Sequence, residues 1–369
     1  MKPRIILKTH SGVRRPGIFS VLVTRCTSAT KAAYQEDVVK KLAEELKGVP
    51  REYLKGASFG ERGAAFHAVW MSKPQQLGIL TSNLFWSAKG HVIRVLTKCD
   101  KNIDVRDCLD LSPAEQLIYL KDYLEGDGAI LIGLARELLG RGQLTDDELI
   151  QTDLLERLLH AIWEEYLDLS ANVTERVELR LKLERQNYPP STRRHKIYPH
   201  LIPLEDFGLV ERTTVNNTDV FVPAIQHGKA PLNHLVEQLG NVSKLEESIA
   251  KGELPQILAK VMFPGHRQFF KEDDKGILTR CVLETYHIVE ASGVPICPLD
   301  AITDASYAIM LERNNILVTK QHIQELLTEL EVGHPQDVRF HVDRFGLPAY
   351  VVISNDLVNN ILTAERPLS

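Results

Sequence analysis

The stretch Thr319-Lys-Gln-His-Ile-Gln-Glu-Leu-Leu-Thr-Glu-Leu330, followed by Val338-Arg-Phe-His-Val-Asp-Arg-Phe-Gly346, decides the fold. Its first part places Ile323, Leu326, Leu327 and Leu330 at the i, i+3, i+4, i+7 spacing of one helical face. Thr319 is of the type that caps a helix N-terminus. The period then changes. Val338, Phe340 and Val342 alternate, Asp343-Arg-Phe-Gly346 turns, and Tyr350 and Val352 alternate back, which predicts a hairpin. Upstream, Leu278, Val282, Thr285 and Val289 predict a helix over 276–291. Ser292-Gly293 stops it, and Pro295 and Pro298 keep the next stretch extended. A second helix is expected over 299–312, with Ile302, Ser306 and Ile309 on one face, before a turn at Asn314-Asn315.

Working outward, a looser version of this order recurs twice. In the middle unit, 150–224, Leu154, Leu158, Ile162 and Tyr166 mark one helix, and Val177 and Leu181 another. After Pro189-Pro190, the run Ser191–Arg212 gives a third helix with a basic start and leads through Leu204-Glu-Asp-Phe-Gly-Leu-Val-Glu-Arg212 into strands 210–215 and 219–223. Asn216-Asn217 suits the tight turn between them. Pro199 and Pro203 are expected to shorten or break the helix. In the first hundred residues, Ala32–Lys47 reads as an amphipathic helix and 50–80 as two more. Residues 83–86 and 91–96 around Ala88-Lys-Gly90 read as a hairpin, and 4–8 and 18–24 as strands flanking the basic loop Gly12–Gly17. Residues 113–124 and 129–139 read as a helical pair broken at Gly126-Asp-Gly128.

Three helices followed by a two-stranded hairpin resemble the winged helix-turn-helix superfamily, best over 276–354, next over 150–224, and loosely over 33–97. The resemblance implies a mainly α fold with small β-hairpins in tandem winged-helix-like modules. It also implies DNA binding through the third helix and the wing, or a protein-interaction role. The chain divides into a basic N-terminal domain over 1–100, a helical plus winged-helix domain over 101–224, a helical linker over 225–275 and a C-terminal winged-helix domain over 276–369.

Composition bounds the rest. Hydrophobic content of 44% with 25% charged residues argues against wholesale disorder. No run approaches the ~20 apolar residues of a membrane span. The five scattered cysteines fit reduced thiols in a cytoplasmic protein and supply no zinc pattern. Charge is segregated. Residues 1–100 carry 17 Lys+Arg against 7 Asp+Glu, residues 101–170 carry 6 against 16, and residues 276–369 carry 6 against 12. Either a basic part meets a polyanion while acidic parts meet proteins, or the basic and acidic segments dock on each other within the monomer.

Because phosphate neutralisation dominates affinity for DNA, cationic residues in a helix-turn-helix context are the candidate contacts. In the N-terminal unit these are Arg14, Arg15, Lys55, Arg62, His67, Lys73, Lys89, His91 and Arg94, and in the middle unit Arg193, Arg194, Lys196 and His200. His195 belongs to the same basic cluster. The C-terminal module, with one lysine against two glutamates in its third helix, suits protein contact better, although Lys320, Gln321, Gln324, Arg339, His341 and Arg344 are placed to reach a ligand. No phosphate-binding loop, dinucleotide fingerprint, zinc helix or nucleophile elbow occurs, so no catalytic residue, metal ligand or cofactor is assigned. The leading expectation is a non-enzymatic DNA-binding subunit of a multi-protein system, in bacterial defence, genome maintenance or regulation. Its partners are duplex DNA and an ATPase or nuclease subunit, with a homodimer left open and no membrane. A protein-only scaffold is the alternative. A nuclease using carboxylates among Asp104, Asp107 and Asp127 is a third reading.

Overall fold

The computed structural model describes residues 3–4, 15–25, 41–46, 48–49, 74–82, 85–97, 107–170, 172–184, 188–226, 230–263, 268–291 and 296–364. Among them the protein is mainly helical, with two small three-stranded antiparallel sheets.

Its spine is a 29-residue helix, Pro113–Arg141, begun by a capping box between Ser112 and Glu115 and ended by Gly142 in the left-handed conformation (φ 79°). Apolar side chains are buried all along it, and the helices Ala88–Leu96, Leu154–Leu169, Pro190–Asp206, Pro231–Leu239, Val242–Ala250, Leu254–Met262 and Leu299–Asn314 pack around it. A break into two helices is expected from Gly126-Asp-Gly128, but only Asp127 leaves helical geometry (φ −140°, ψ 15°), so the result is a kink in one helix. Gly128 is held to glycine by packing, since a Cβ there would lie 2.9 Å from Leu245 Cδ2.

The first sheet joins Leu144–Thr145, Thr218–Pro223 and Val210–Val215, in that order. Asn216 and Asn217 both take positive φ (52° and 63°), as a two-residue hairpin turn requires. The second sheet has the same order: Cys297–Pro298, then Pro348–Ile353, then Val338–Val342. At its turn the Asp343 carboxylate accepts from the backbone N–H groups of Phe345 and Leu347. A two-residue parallel pair, Gln268–Phe269 with Ile316–Leu317, completes the strands. Leading into the second hairpin, helix Lys320–Gly333 starts at Thr319, whose hydroxyl accepts from His322 N–H, and buries Ile323, Leu326 and Leu327.

Three further expectations fail here. Helix Pro190–Asp206 runs straight through Pro199 and Pro203. Both rings are buried with Ile197, Tyr198, Leu201, Ile202 and Leu204, and that packing offsets the lost hydrogen bonds. Among the described residues the N-terminal hairpin is not formed: 88–96 is helical, with Ser87 accepting from Gly90 N–H, and Leu80–Trp86 form only an isolated bridge. The β-branched residues Val92, Ile93 and Val95 suggest a strand, yet their helical spacing buries them against the spine and against helices Lys275–Glu290 and Leu299–Asn314. Likewise Gly17–Arg25 is a helix, not a strand. Lys41–Leu46 is helical as expected. Residues 5–8 and 51–73, where a strand and most of two helices are expected, lie outside the described residues.

Candidate nucleic-acid interface

Arg15 is only 4% exposed. Its guanidinium donates to Leu109 O at 2.5 Å and lies 3.4 Å from the carboxylates of Asp206 and Asp110. Lys89, at the first turn of its helix, reaches down to the spine, 2.9 Å from Asp122 and in contact with Glu125. Lys121 on the spine bridges Glu125 at 3.6 Å and Asp304 at 2.7 Å, so alternating charges run from the N-terminal segment through the spine into helix Leu299–Asn314.

The titration of these groups follows from that arrangement. Burial alone would depress the Lys89 ammonium, but Asp122 and Glu125 outweigh it and hold it above its ordinary value. Burial pushes the Asp122 carboxyl up to about 6, against the opposing pull of Lys89 and Lys121. For Glu125 the two lysines prevail over burial and keep it below the usual range. His91 is 5% exposed, and burial followed by repulsion from Arg94 lowers it to about 4, so it is neutral at pH 7. Arg94 stacks over Trp86, 4.1 Å from the ring centroid.

The middle unit repeats the theme. His200 is fully buried, with Nδ1 2.7 Å from Lys196 O and Nε2 2.6 Å from Asp127, which is also fully buried at the spine's kink. Arg193 donates to Glu156 at 2.9 Å and to Ile150 O. Lys196 is half-buried over Tyr188, and burial lowers it. Arg194 is 46% exposed, over Tyr198 and 3.7 Å from Asp146. His195 beside it is exposed.

Arg15, Lys89, His91, Arg193 and His200 are therefore not available to a phosphate backbone. The physical reason is that the acidic 101–170 stretch contains the spine on which the basic segment packs, and the two neutralise each other across the core. Of the candidate contacts, Arg194 keeps an exposed charge. Arg14, Lys55, Arg62, His67 and Lys73 lie outside the described residues, as does Asp104. Asp127 is engaged by His200, so it is not brought together with Asp107 at an open site. Among the described residues no cluster of three or more His, Cys, Asp or Glu side chains is placed to hold a metal ion, and no helix is long and apolar enough to cross a membrane.

One surface was not singled out by residue type. At the tip of the C-terminal hairpin, Val342, Phe345 and Leu347 are 59%, 72% and 64% exposed. Arg344 stacks on Phe345 at 4.6 Å, and neither Arg339 nor Arg344 has a carboxylate partner among the described residues. The signal for it was present: apolar residues flank Gly346 where a solvated turn favours polar ones. Comparison with family models, with curated proteins and with solved structures finds no match to the chain.

Proposed function

We propose that the chain is a non-enzymatic assembly subunit containing two winged-helix units, and that the C-terminal wing docks a protein partner. The strand order of both sheets supports the fold assignment. In each, the short strand before the second helix pairs with the last strand of the hairpin, which lies beside the first hairpin strand. In the middle unit, helices Leu154–Leu169 and Val173–Glu184 stand as an insertion between the second and third helices of that order.

The observation that carries the docking role is the apolar wing tip. A hairpin end that leaves Val342, Phe345 and Leu347 in water is the kind of clustered apolar surface that a partner would cover. Two unpaired arginines on the same hairpin would orient an acidic partner. Affinity capture with the full chain, before and after nuclease digestion, tests this. A protein partner that survives digestion and is lost with F345S/L347S supports docking, and a partner released by nuclease overturns it.

A second reading, duplex DNA held at the start of helix Pro190–Asp206, is favoured by the exposure of Arg194 and His195 at a helix N-terminus. It predicts binding that weakens steeply with salt and with R194E.

A further inference from the structure

The order of the second sheet leaves Val338–Val342 as an edge strand. The bonds around it show which backbone groups point outward. Ser354 N–H donates to Asp337 O at 2.7 Å and Asp343 N–H to Leu347 O at 2.8 Å, so Asp337 and Asp343 face strand Pro348–Ile353. Both groups of a residue in an antiparallel strand point the same way, and successive residues alternate. Arg339 and His341 therefore also face that strand, while Val338, Phe340 and Val342 face away. The register shift beside His341 places its extra residue, Ala349, on the opposite strand, so the alternation along the edge is unbroken. Ile353, opposite Val338, agrees: its N–H and C=O both bond the Tyr286 hydroxyl on the far side.

Val338 N–H is taken by His334 O at 3.0 Å. The remaining outward groups are Val338 C=O and the N–H and C=O of Phe340 and Val342. Of these, Phe340 N–H alone meets a partner among the described residues, Glu331 Oε1 at 3.4 Å, a carboxylate standing where the carbonyl of a further strand would stand. An edge left open in this way is a template for pairing. The matching edge of the first sheet, Val210–Val215, ends in the polar turn Asn216-Asn217, and its Arg212 lies 3.4 Å from both Glu205 and Asp219. On Val338–Val342, by contrast, Arg339 meets no carboxylate among the described residues, and the apolar tip at Phe345 and Leu347 continues the edge.

We propose that this edge takes up an extended acidic segment of the partner protein as a fourth strand, a mode of binding that rests on the docking role of the wing. Main-chain hydrogen bonds hold the segment, and its side chains alternate between two faces. Those beside Arg339 are acidic, and those beside Phe340 and Val342 are apolar. A second copy would bring the same arginines, Arg339 and Arg344, to the seam, so like charge disfavours an edge-to-edge dimer.

The test is fluorescence polarisation on the full chain with a labelled eight-residue peptide alternating glutamate and valine, beside its scramble and a lysine–valine analogue. Two further versions are N-methylated, one on the valines and one on the glutamates. The alternating peptide is expected to bind with Kd below about 0.1 mM, and the scramble and the lysine analogue roughly tenfold more weakly. One methylated version should lose binding and the other keep it, with the valine set sensitive for antiparallel addition and the glutamate set for parallel. V342P removes an outward N–H where an edge strand tolerates proline, so it and R339E should each lose about tenfold, with V342P keeping the melting temperature. The proposal is overturned if the alternating peptide binds no tighter than its scramble, or if neither methylated version is weakened. A nuclease-resistant partner lost with F345S/L347S but kept by V342P would uphold docking and overturn the fourth strand. Peptide binding as expected by a chain that captures no such partner would uphold the edge site and sink the docking role.

Discussion

Replacing Lys89 by alanine separates a structural lysine from a DNA contact. Asp122 is 1% exposed, so little solvent screening reduces its electrostatics. With Lys89 present its carboxyl stands at about 6 against an ordinary 3.8. Ionising it at pH 7 therefore already costs about 3 kcal/mol, at 1.36 kcal/mol for each tenfold. Without Lys89, Asp122 stays protonated at pH 7, and the cost is capped at that of protonating an ordinary aspartate there, about 4 kcal/mol. The difference is roughly 1 kcal/mol. Losing the charged hydrogen bond to Glu125 adds about 1 kcal/mol, and the stem packing lost from a lysine that is three-quarters buried adds a similar amount. The sum, about 3 kcal/mol, corresponds to a fall of roughly 4 °C in the melting temperature of a cooperative chain of 369 residues, at about 2.1 cal/mol/K of unfolding entropy per residue. Adding D122N to K89A removes the whole protonation cost of about 4 kcal/mol at this carboxyl and should recover essentially all of the loss. Circular-dichroism melts at pH 7 measure both. A K89A protein that melts within 2 °C of wild type, or a D122N that does nothing for it, refutes the burial argument.

Other outcomes follow from the same structure. Lys196 O only accepts, so His200 Nδ1 carries a proton and the Nε2–Asp127 contact shares another. H200A should therefore cost about 3–5 kcal/mol, seen as a lower melting temperature, whereas D127N, which supplies its own N–H, should cost much less. G90A should destabilise although it is a helix-interior glycine, because its Cβ would lie 2.6 Å from Ile79 O; G140A meets nothing within 4 Å and should stabilise by about 0.5–1 kcal/mol in the same melts. The pH dependence has two opposing parts. Below pH 6.5 the unfolded chain protonates His91 while the folded chain refuses until about 4, so stability falls on acidification. Asp122 binds its proton near 6 when folded and 3.8 when unfolded, so its part rises as pH falls through 6. Melts at pH 7 and 5 should show H91L shifted toward acid stability by about 2 kcal/mol and D122N shifted the other way by about 1 kcal/mol, relative to wild type.

What was legible in the sequence is the part where local signals agree. Thr319 with the stripe from Ile323 to Leu327 gives a helix, and Asn216-Asn217 gives a turn, because capping and positive φ are decided within a few residues. The 91–96 segment was illegible for the opposite reason: its β-branched residues favour a strand in isolation, and only contact with distant helices makes it helical. The candidate site suffered the same way. A surplus of positive charge in 1–100 is readable, but that Lys89 meets Asp122 and that Arg15 meets Asp206 is a property of the fold, with partners 33 and 191 residues away. Glycines at 126 and 128 suggest a break, whereas Asp127 bound to His200 holds a kink inside a continuous helix. The wing tip was visible as Phe345 and Leu347, but their exposure depends on what the hairpin packs against.

The most direct measurement is duplex DNA binding by the full chain across a salt series, set beside nuclease-treated affinity capture with wild type and F345S/L347S. A docking subunit predicts no duplex binding tighter than the roughly micromolar non-specific range at physiological salt, together with a partner that resists nuclease and is lost with the wing variant. Tight, salt-steep DNA binding that survives F345S/L347S, with no nuclease-resistant partner, would contradict it.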